Sequence, residues 1–229
     1  THAVELADLN GDGYLDVILG PGGYKPDHEF SGVIWNDGKG NFFQHNNTPF
    51  PQYKKKWGNI PEVSAADLDN DGDLDIVNSR TGIMYVGTAL QFIENLGNKN
   101  FKDHGIFPIV EAPADFKTTN QGNQWNDFIA QIRFRDLDKD GDIDLYLSNS
   151  QSQKTDGMVL LNQGDFNFSL IQQADLDELS GKSKVISKKV KKPFKYSSRN
   201  FKPQLKLLES QNNVEVCNAI SKEFYAGDY

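Results

Sequence analysis

A single cysteine in 229 residues, Cys217, excludes an intramolecular disulfide, and without a CxxC pair or a Cys/His cluster there is no structural zinc site of the usual kind. The four histidines, His2, His28, His45 and His104, are scattered without metal-ligand spacing. No apolar run is long enough to cross a bilayer as a helix, so membrane insertion is not expected. No basic leader followed by an apolar stretch opens the sequence, and localisation has to be read from chemistry instead. G-x-S-x-G and phosphate-binding loops are missing, and no motif pairs Ser with His and Asp or Cys with His. These absences leave enzymatic function with little support, and a non-enzymatic chain is expected.

Acidic residues are plentiful and unevenly placed. Before residue 172 there are 13 Lys/Arg against 25 Asp/Glu, and after it 11 against 7. Thirteen of the first 25 acids fall inside three nine-residue windows, too clustered for a generic solubilising surface. The windows read Asp8-Leu9-Asn10-Gly11-Asp12-Gly13-Tyr14-Leu15-Asp16, then Asp67 to Asp75 (DLDNDGDLD), then Asp136 to Asp144 (DLDKDGDID). Their common pattern is D-L-[DN]-x-D-G-x-[LI]-D. A second motif follows each: Asn36-Asp37-Gly38 ahead of Phe42, Asn95-Leu96-Gly97 ahead of Phe101, and Asn162-Gln163-Gly164 ahead of Phe168. Two linked motifs recurring three times in one order identify an internal repeat.

Apolar residues alternate around the acidic windows. Val4 and Leu6 precede the first, and Leu15, Val17 and Leu19 follow it; Ile132 and Phe134 precede the third, and Ile143, Leu145 and Leu147 follow it. Period two predicts strands, so each acidic window is a hairpin connection, and the Asn-x-Gly turn predicts a second hairpin. About four strands in roughly 60 to 70 residues is the scale of one propeller blade. The expected fold is therefore all-β, a β-propeller with three legible blades at about 1–60, 61–127 and 128–171. Residues 172–229 lack an acidic window and are basic over Lys182 to Lys206, and are read as a divergent blade, a packed extension or the edge of an incomplete propeller. Polar connections are expected at Pro21 to Ser31, Pro49 to Pro61, Ser79 to Thr88 and Pro108 to Asn126.

Aspartates at alternate positions of a tight turn suit calcium, which takes six to eight oxygen ligands at about 2.3 to 2.6 Å. Three sites are expected. In the first, the side chains of Asp8, Asn10, Asp12 and Asp16 act with the carbonyl of Tyr14; in the second, Asp67, Asp69, Asp71 and Asp75 act with the carbonyl of Asp73; in the third, Asp136, Asp138, Asp140 and Asp144 act with the carbonyl of Asp142. Glycine at position six (Gly13, Gly72, Gly141) supplies the positive φ the turn needs. The apolar residues at positions two and eight are expected to point into the blade. Loop 1, with one carboxylate fewer, is expected to bind calcium most weakly. An EF-hand is excluded, because its position-twelve glutamate is replaced by Leu19, Asn78 and Leu147 on β-patterned segments.

On these motifs the sequence resembles the FG-GAP and VCBS repeat family, whose calcium loops also occur in the propeller of integrin α subunits. The resemblance covers residues 1 to about 171. It implies a propeller of usually seven blades, calcium between the first two strands of a blade, and an extracellular or cell-surface role in adhesion or in recognising a protein or carbohydrate. Calcium is expected to be structural. The alternative is the propeller of a secreted polysaccharide-degrading enzyme, separable by an acid or base facing a sugar-sized cleft near Trp57 and Trp125. Aromatics in or beside the connections (Tyr24, Tyr53, Trp57, Phe116, Trp125) suit a ligand surface, although such residues more often pack a loop onto its blade; Trp35 is expected in the core. The lysines after residue 182 lack interleaved aromatics, so no nucleic-acid partner is expected. Unpaired blade edges are expected to associate with one another or with further blades.

Overall fold

The computed structural model describes residues 3–20, 30–51, 53, 57–82, 87–110, 128–149 and 157–172. These residues form twelve strands and no helix: β1 (Ala3–Ala7), β2 (Asp16–Gly20), β3 (Gly32–Asn36), β4 (Phe42–Pro49), β5 (Val63–Ala66), β6 (Asp75–Arg80), β7 (Thr88–Asn95), β8 (Phe101–Val110), β9 (Ile129–Arg135), β10 (Asp144–Asn149), β11 (Met158–Asn162) and β12 (Phe168–Gln172). They make three four-stranded antiparallel sheets, β1–β4, β5–β8 and β9–β12, each a meander in chain order. The acidic loops join the first two strands of each sheet, and the Asn-x-Gly turns join the last two.

Register repeats from sheet to sheet. Ala7 faces Asp16, Ala66 faces Asp75 and Arg135 faces Asp144, so the last aspartate of every acidic loop opens the returning strand at an equivalent place. Leu19, Asn78 and Leu147 lie on β2, β6 and β10, as a hairpin requires and an EF-hand forbids.

Several strands run further than the polar composition predicts. Ser79 and Arg80 remain in β6, Thr88 opens β7, Pro49 closes β4, and Pro108 to Val110 complete β8. Cross-strand partners explain the extension: Arg80 pairs with Ala89, Thr88 with Val110 and Gly32 with Pro49. Both prolines sit on the last strand of a sheet, where a missing N–H donor breaks no ladder.

The period-two pattern decides how the sheets stack. Ala3, Ala7, Ile18, Val33 and Trp35 of sheet 1 pack against Val63, Ala65, Ile76 and Ile93 of sheet 2. The alternate residues of sheet 2, among them Ala66, Val77, Leu90 and Phe92, pack against Ile132, Leu145, Leu147, Leu160 and Phe168 of sheet 3. The middle sheet is thus apolar on both faces. Aromatic pairs cross each interface, Trp35 with Phe101 at 6.1 Å and Phe92 with Phe168 at 4.2 Å between ring centroids. The phenylalanines that follow the second and third Asn-x-Gly turns, Phe101 and Phe168, therefore each receive a ring from the preceding sheet. Trp35 lies in the core, its Nε1 donating to Thr48 Oγ1 at 3.0 Å.

Sheet 1 differs on the corresponding face. Val4 and Leu6 occupy the positions of Val63 and Ala65, yet they are 57% and 37% exposed against 2% and 3%. Tyr24, Phe116, Trp125, His2, His28, the lysines from Lys182 onward and the segment 173–229 lie outside the described residues.

Candidate metal centres

Each acidic loop begins as its strand ends and turns twice through the left-handed region. Gly13, Gly72 and Gly141 have φ of 90°, 104° and 103°, as the sequence predicts for position six. Position four is left-handed as well, at Gly11 (72°), Asn70 (62°) and Lys139 (67°), and there the sequence pattern gives no warning. Asparagine tolerates that conformation better than lysine, so loop 3 carries backbone strain that loop 1 avoids with glycine. Leu9, Leu68, Leu15, Leu74 and Ile143 are buried and anchor the loops to the core; Leu137 is half-buried.

Carboxylates converge in loops 2 and 3. Oxygens of Asp67, Asp69 and Asp71 lie within 4.8 Å of one another, as do those of Asp136, Asp138 and Asp144. Asp67 Oδ1 and Asp136 Oδ1 are buried without a hydrogen-bond partner. A buried carboxylate oxygen left unpaired is costly, and a hard cation taking oxygen ligands is the partner that fits it. Burial pushes the pKa of Asp67, Asp69 and Asp138 upward, and neighbouring aspartates add to the shift. These are groups held close together in a site whose field a divalent cation would relieve.

Loop 1 is closed by its own hydrogen bonds. Asp8 Oδ1 accepts from Asp12 N at 3.1 Å and Asp8 Oδ2 from Gly13 N at 2.9 Å. Asn10 Nδ2 donates to Asp12 Oδ2 at 3.0 Å, while Asn10 Oδ1 accepts from Asp12 N at 3.0 Å. Asparagine at position three thus supplies a donor where loops 2 and 3 present a fourth ligand carboxylate.

The ninth-position aspartates have a second task. Asp16 Oδ2 accepts from Leu9 N (3.2 Å) and Oδ1 from Asn36 N (3.0 Å); Asp75 accepts likewise from Leu68 N and Asn95 N, both at 2.9 Å; Asp144 accepts from Leu137 N (2.7 Å) and Asn162 N (2.8 Å). Every one is buried and ties the entrance of its loop to the second hairpin. Burial, opposed by these amides and reinforced by nearby aspartates, raises their pKa to about 7 for Asp16, about 8 for Asp75 and about 6 for Asp144.

The chain carries an FG-GAP-like repeat. Its family model matches residues 8–77, from the first aspartate of loop 1 to two residues past the last aspartate of loop 2. The FG-GAP-like match therefore takes in both of these loops and the Asn36 turn between them. Comparison with curated proteins gives no match.

Two further features lie close to the FG-GAP-like loops. Asn36, Asn95 and Asn162, visible in the sequence only as turn residues, send their side chains into the acidic loops, and the threefold recurrence of Asn at that place was the available signal. Asp73 and Tyr14, assigned to the site through their carbonyls, have side chains that approach the Asn-x-Gly turns: Tyr14 packs on Gly38, and an Asp73 oxygen is 3.8 Å from where a Cβ on Gly97 would stand.

Among the described connection aromatics, Tyr53 and Trp57 pack their loop onto sheet 2. Trp57 is buried against Gly87, and Tyr53 donates to Asp103 Oδ2 at 2.6 Å. The buried Arg80 guanidinium sits 5.0 Å from the Tyr53 ring centroid and donates to the carbonyls of Trp57 and Pro51 and to Gln91 Oε1. Burial moves Arg80 down to about 10, opposed by Tyr53 and Asp103, and moves Tyr53 up to about 12.

Proposed function

We propose that the chain is a calcium-braced, non-enzymatic β-propeller segment of an extracellular or cell-surface protein, presenting its connecting loops to a protein or carbohydrate ligand. The observation that carries this reading is the pair of unpartnered buried oxygens, Asp67 Oδ1 and Asp136 Oδ1, at equivalent places in two acidic loops. FG-GAP-like repeats often bind calcium and typically occur in extracellular proteins, and the match at residues 8–77 supports both parts of the reading. So does the millimolar calcium outside cells, which suits modules with affinities of about 10⁻⁴ to 10⁻³ M.

Asp67, Asp69, Asp71 and Asp75 with the Asp73 carbonyl would hold one ion, and Asp136, Asp138, Asp140 and Asp144 with the Asp142 carbonyl a second; loop 1 would hold a third more weakly. Calcium would supply neutralising charge and oxygen coordination. The protein's own residues keep the carboxylates in place through backbone amides and buried leucines. Three blades at about 1–60, 61–127 and 128–171 belong to this reading, and the stacking of the three described sheets supports it. Val4 and Leu6 are exposed on the face of sheet 1 turned away from sheet 2, whereas their counterparts Val63 and Ala65 are covered by sheet 1, and this supports association with a further sheet. Neither nucleic acid nor membrane insertion enters this reading.

Calorimetric titration of the full chain with calcium, followed by glycan and protein binding screens with and without EGTA, tests the proposal. Calcium uptake that raises the melting temperature and calcium-dependent ligand capture are expected. An unchanged melting temperature at millimolar calcium overturns it.

A further inference from the structure

Hydrogen bonds run without interruption from one acidic loop to the next. Asn95 Nδ2 donates to the carbonyl of Leu9, in loop 1, at 2.7 Å and to the carbonyl of Leu74, in loop 2, at 3.2 Å. Its backbone N–H meanwhile holds Asp75 Oδ1, and Asp75 Oδ2 holds Leu68 N. The carbonyl of Leu68 then accepts from Asn162 Nδ2 at 2.7 Å, and Asn162 N holds Asp144. The same three groups, a leucine peptide, an asparagine and an aspartate, recur in the same order across both sheet boundaries. Asn70 Nδ2 adds a surface link from loop 2 to Asp142 Oδ1 of loop 3 at 2.9 Å.

We propose that Asn95 and Asn162 are positioning residues that join the three acidic loops into one cooperative ion-binding unit. The Leu9 carbonyl belongs to the peptide leading into Asn10, and the Leu68 carbonyl to the peptide leading into Asp69, so each asparagine side chain fixes the peptide that carries a position-three ligand of the preceding loop. The next covalent group, its own amide, fixes the ninth-position carboxylate of the loop in its own sheet. Both asparagines are buried, so losing either one leaves buried polar partners unsatisfied. Closing one loop on an ion therefore orders the anchor of the next, and ordering already in place lowers the cost of the second binding event. Asn36 is the internal comparison: its Nδ2 donates to the carbonyl of Leu15, in its own loop, at 3.0 Å, and it is half-buried.

This inference rests on the calcium reading above, and the experiment separates the two. In the full chain, amide hydrogen exchange at Leu68 and Asn95 is followed against calcium concentration, because both amides donate to Asp75 of loop 2. Asp12→Asn, which weakens loop 1 without touching Asn95, is expected to move the loop 2 midpoint about fivefold to higher calcium, and Asp71→Asn in loop 2 is expected to move the loop 1 midpoint, read at Leu9, by the same factor. Adding Asn95→Ala to Asp12→Asn is expected to abolish the extra shift, whereas Asn36→Ala leaves it in place. Loop 2 midpoints indifferent to Asp12→Asn overturn the coupling while leaving calcium binding intact. A wild-type chain that takes up no calcium overturns both. The Asp12→Asn and Asp71→Asn arms stand even where Asn95→Ala fails to fold.

Discussion

Loop 1 and loops 2 and 3 share a nine-residue pattern, hairpin register and anchoring leucines, yet they solve the problem of crowded carboxylates differently. In loop 1 the amide of Asn10 bonds Asp12 and both oxygens of Asp8 are taken by backbone donors. In loops 2 and 3 aspartate replaces that amide, three carboxylates come within 4.8 Å, and one buried oxygen in each is left alone. Position three is where the loops differ in the ligands assigned to side chains, and there an amide that donates to Asp12 stands in place of a fourth carboxylate.

The comparison is broken most directly by removing calcium. Two sites each held at about one hundred times their dissociation constant contribute about 5 kcal/mol together, and for a chain of this size that corresponds to roughly 10 to 20 °C in melting temperature. Amide exchange in EGTA is expected to accelerate at Leu68 and Leu137 far more than at Leu9. Equal acceleration at all three would erase the distinction.

Acidity sharpens the comparison further. Folded-state pKa values of about 7, 8 and 6 for Asp16, Asp75 and Asp144 lie above the ordinary 3.8, so the folded form binds more protons than the unfolded chain between roughly pH 4 and 8. The calcium-free protein is therefore expected to be most stable near pH 4 and to lose stability as pH rises through those values. With calcium the trend reverses, since ion binding needs the carboxylates ionised. Thermal melts of chelator-stripped protein at pH 5 and pH 8, each with and without added calcium, check the sign.

The smallest expected effect comes from converting one loop into the other. Asn10→Asp removes the donor to Asp12 and adds a charge beside Asp8. It is expected to strengthen calcium binding at loop 1 about tenfold and to destabilise the calcium-free form by about 1 kcal/mol, read by titration and by denaturant melts. An unchanged loop 1 affinity would mean that position three does not set it.

Much of the fold was legible beforehand. Alternation at Val4 and Leu6, at Val17 and Leu19, and at Ile143, Leu145 and Leu147 marked strands, and the two glycine-bearing motifs marked the hairpins between them. Strand ends were less legible: Ser79, Arg80, Thr88 and Pro108 look like connection by composition, but cross-strand partners keep them in the sheets. The convergence of Asp67, Asp69 and Asp71, and of Asp136, Asp138 and Asp144, was legible too, since alternate residues of a tight turn face the same way. Left-handed Lys139 and the buried role of Asn95 and Asn162 were not.

By itself, the sequence determined three repeats before residue 172, their hairpin pairing and which oxygens lie on each acidic turn, because all of these follow from local periodicity and turn chemistry. Only the tertiary structure decided that Asn95 reaches Leu9 and Asn162 reaches Leu68, across 86 and 94 residues, and that Asp67 and Asp136 each keep an unpaired oxygen. Those facts depend on how one sheet packs on the next, and stacking brings together groups whose separation along the chain carries no periodic signal.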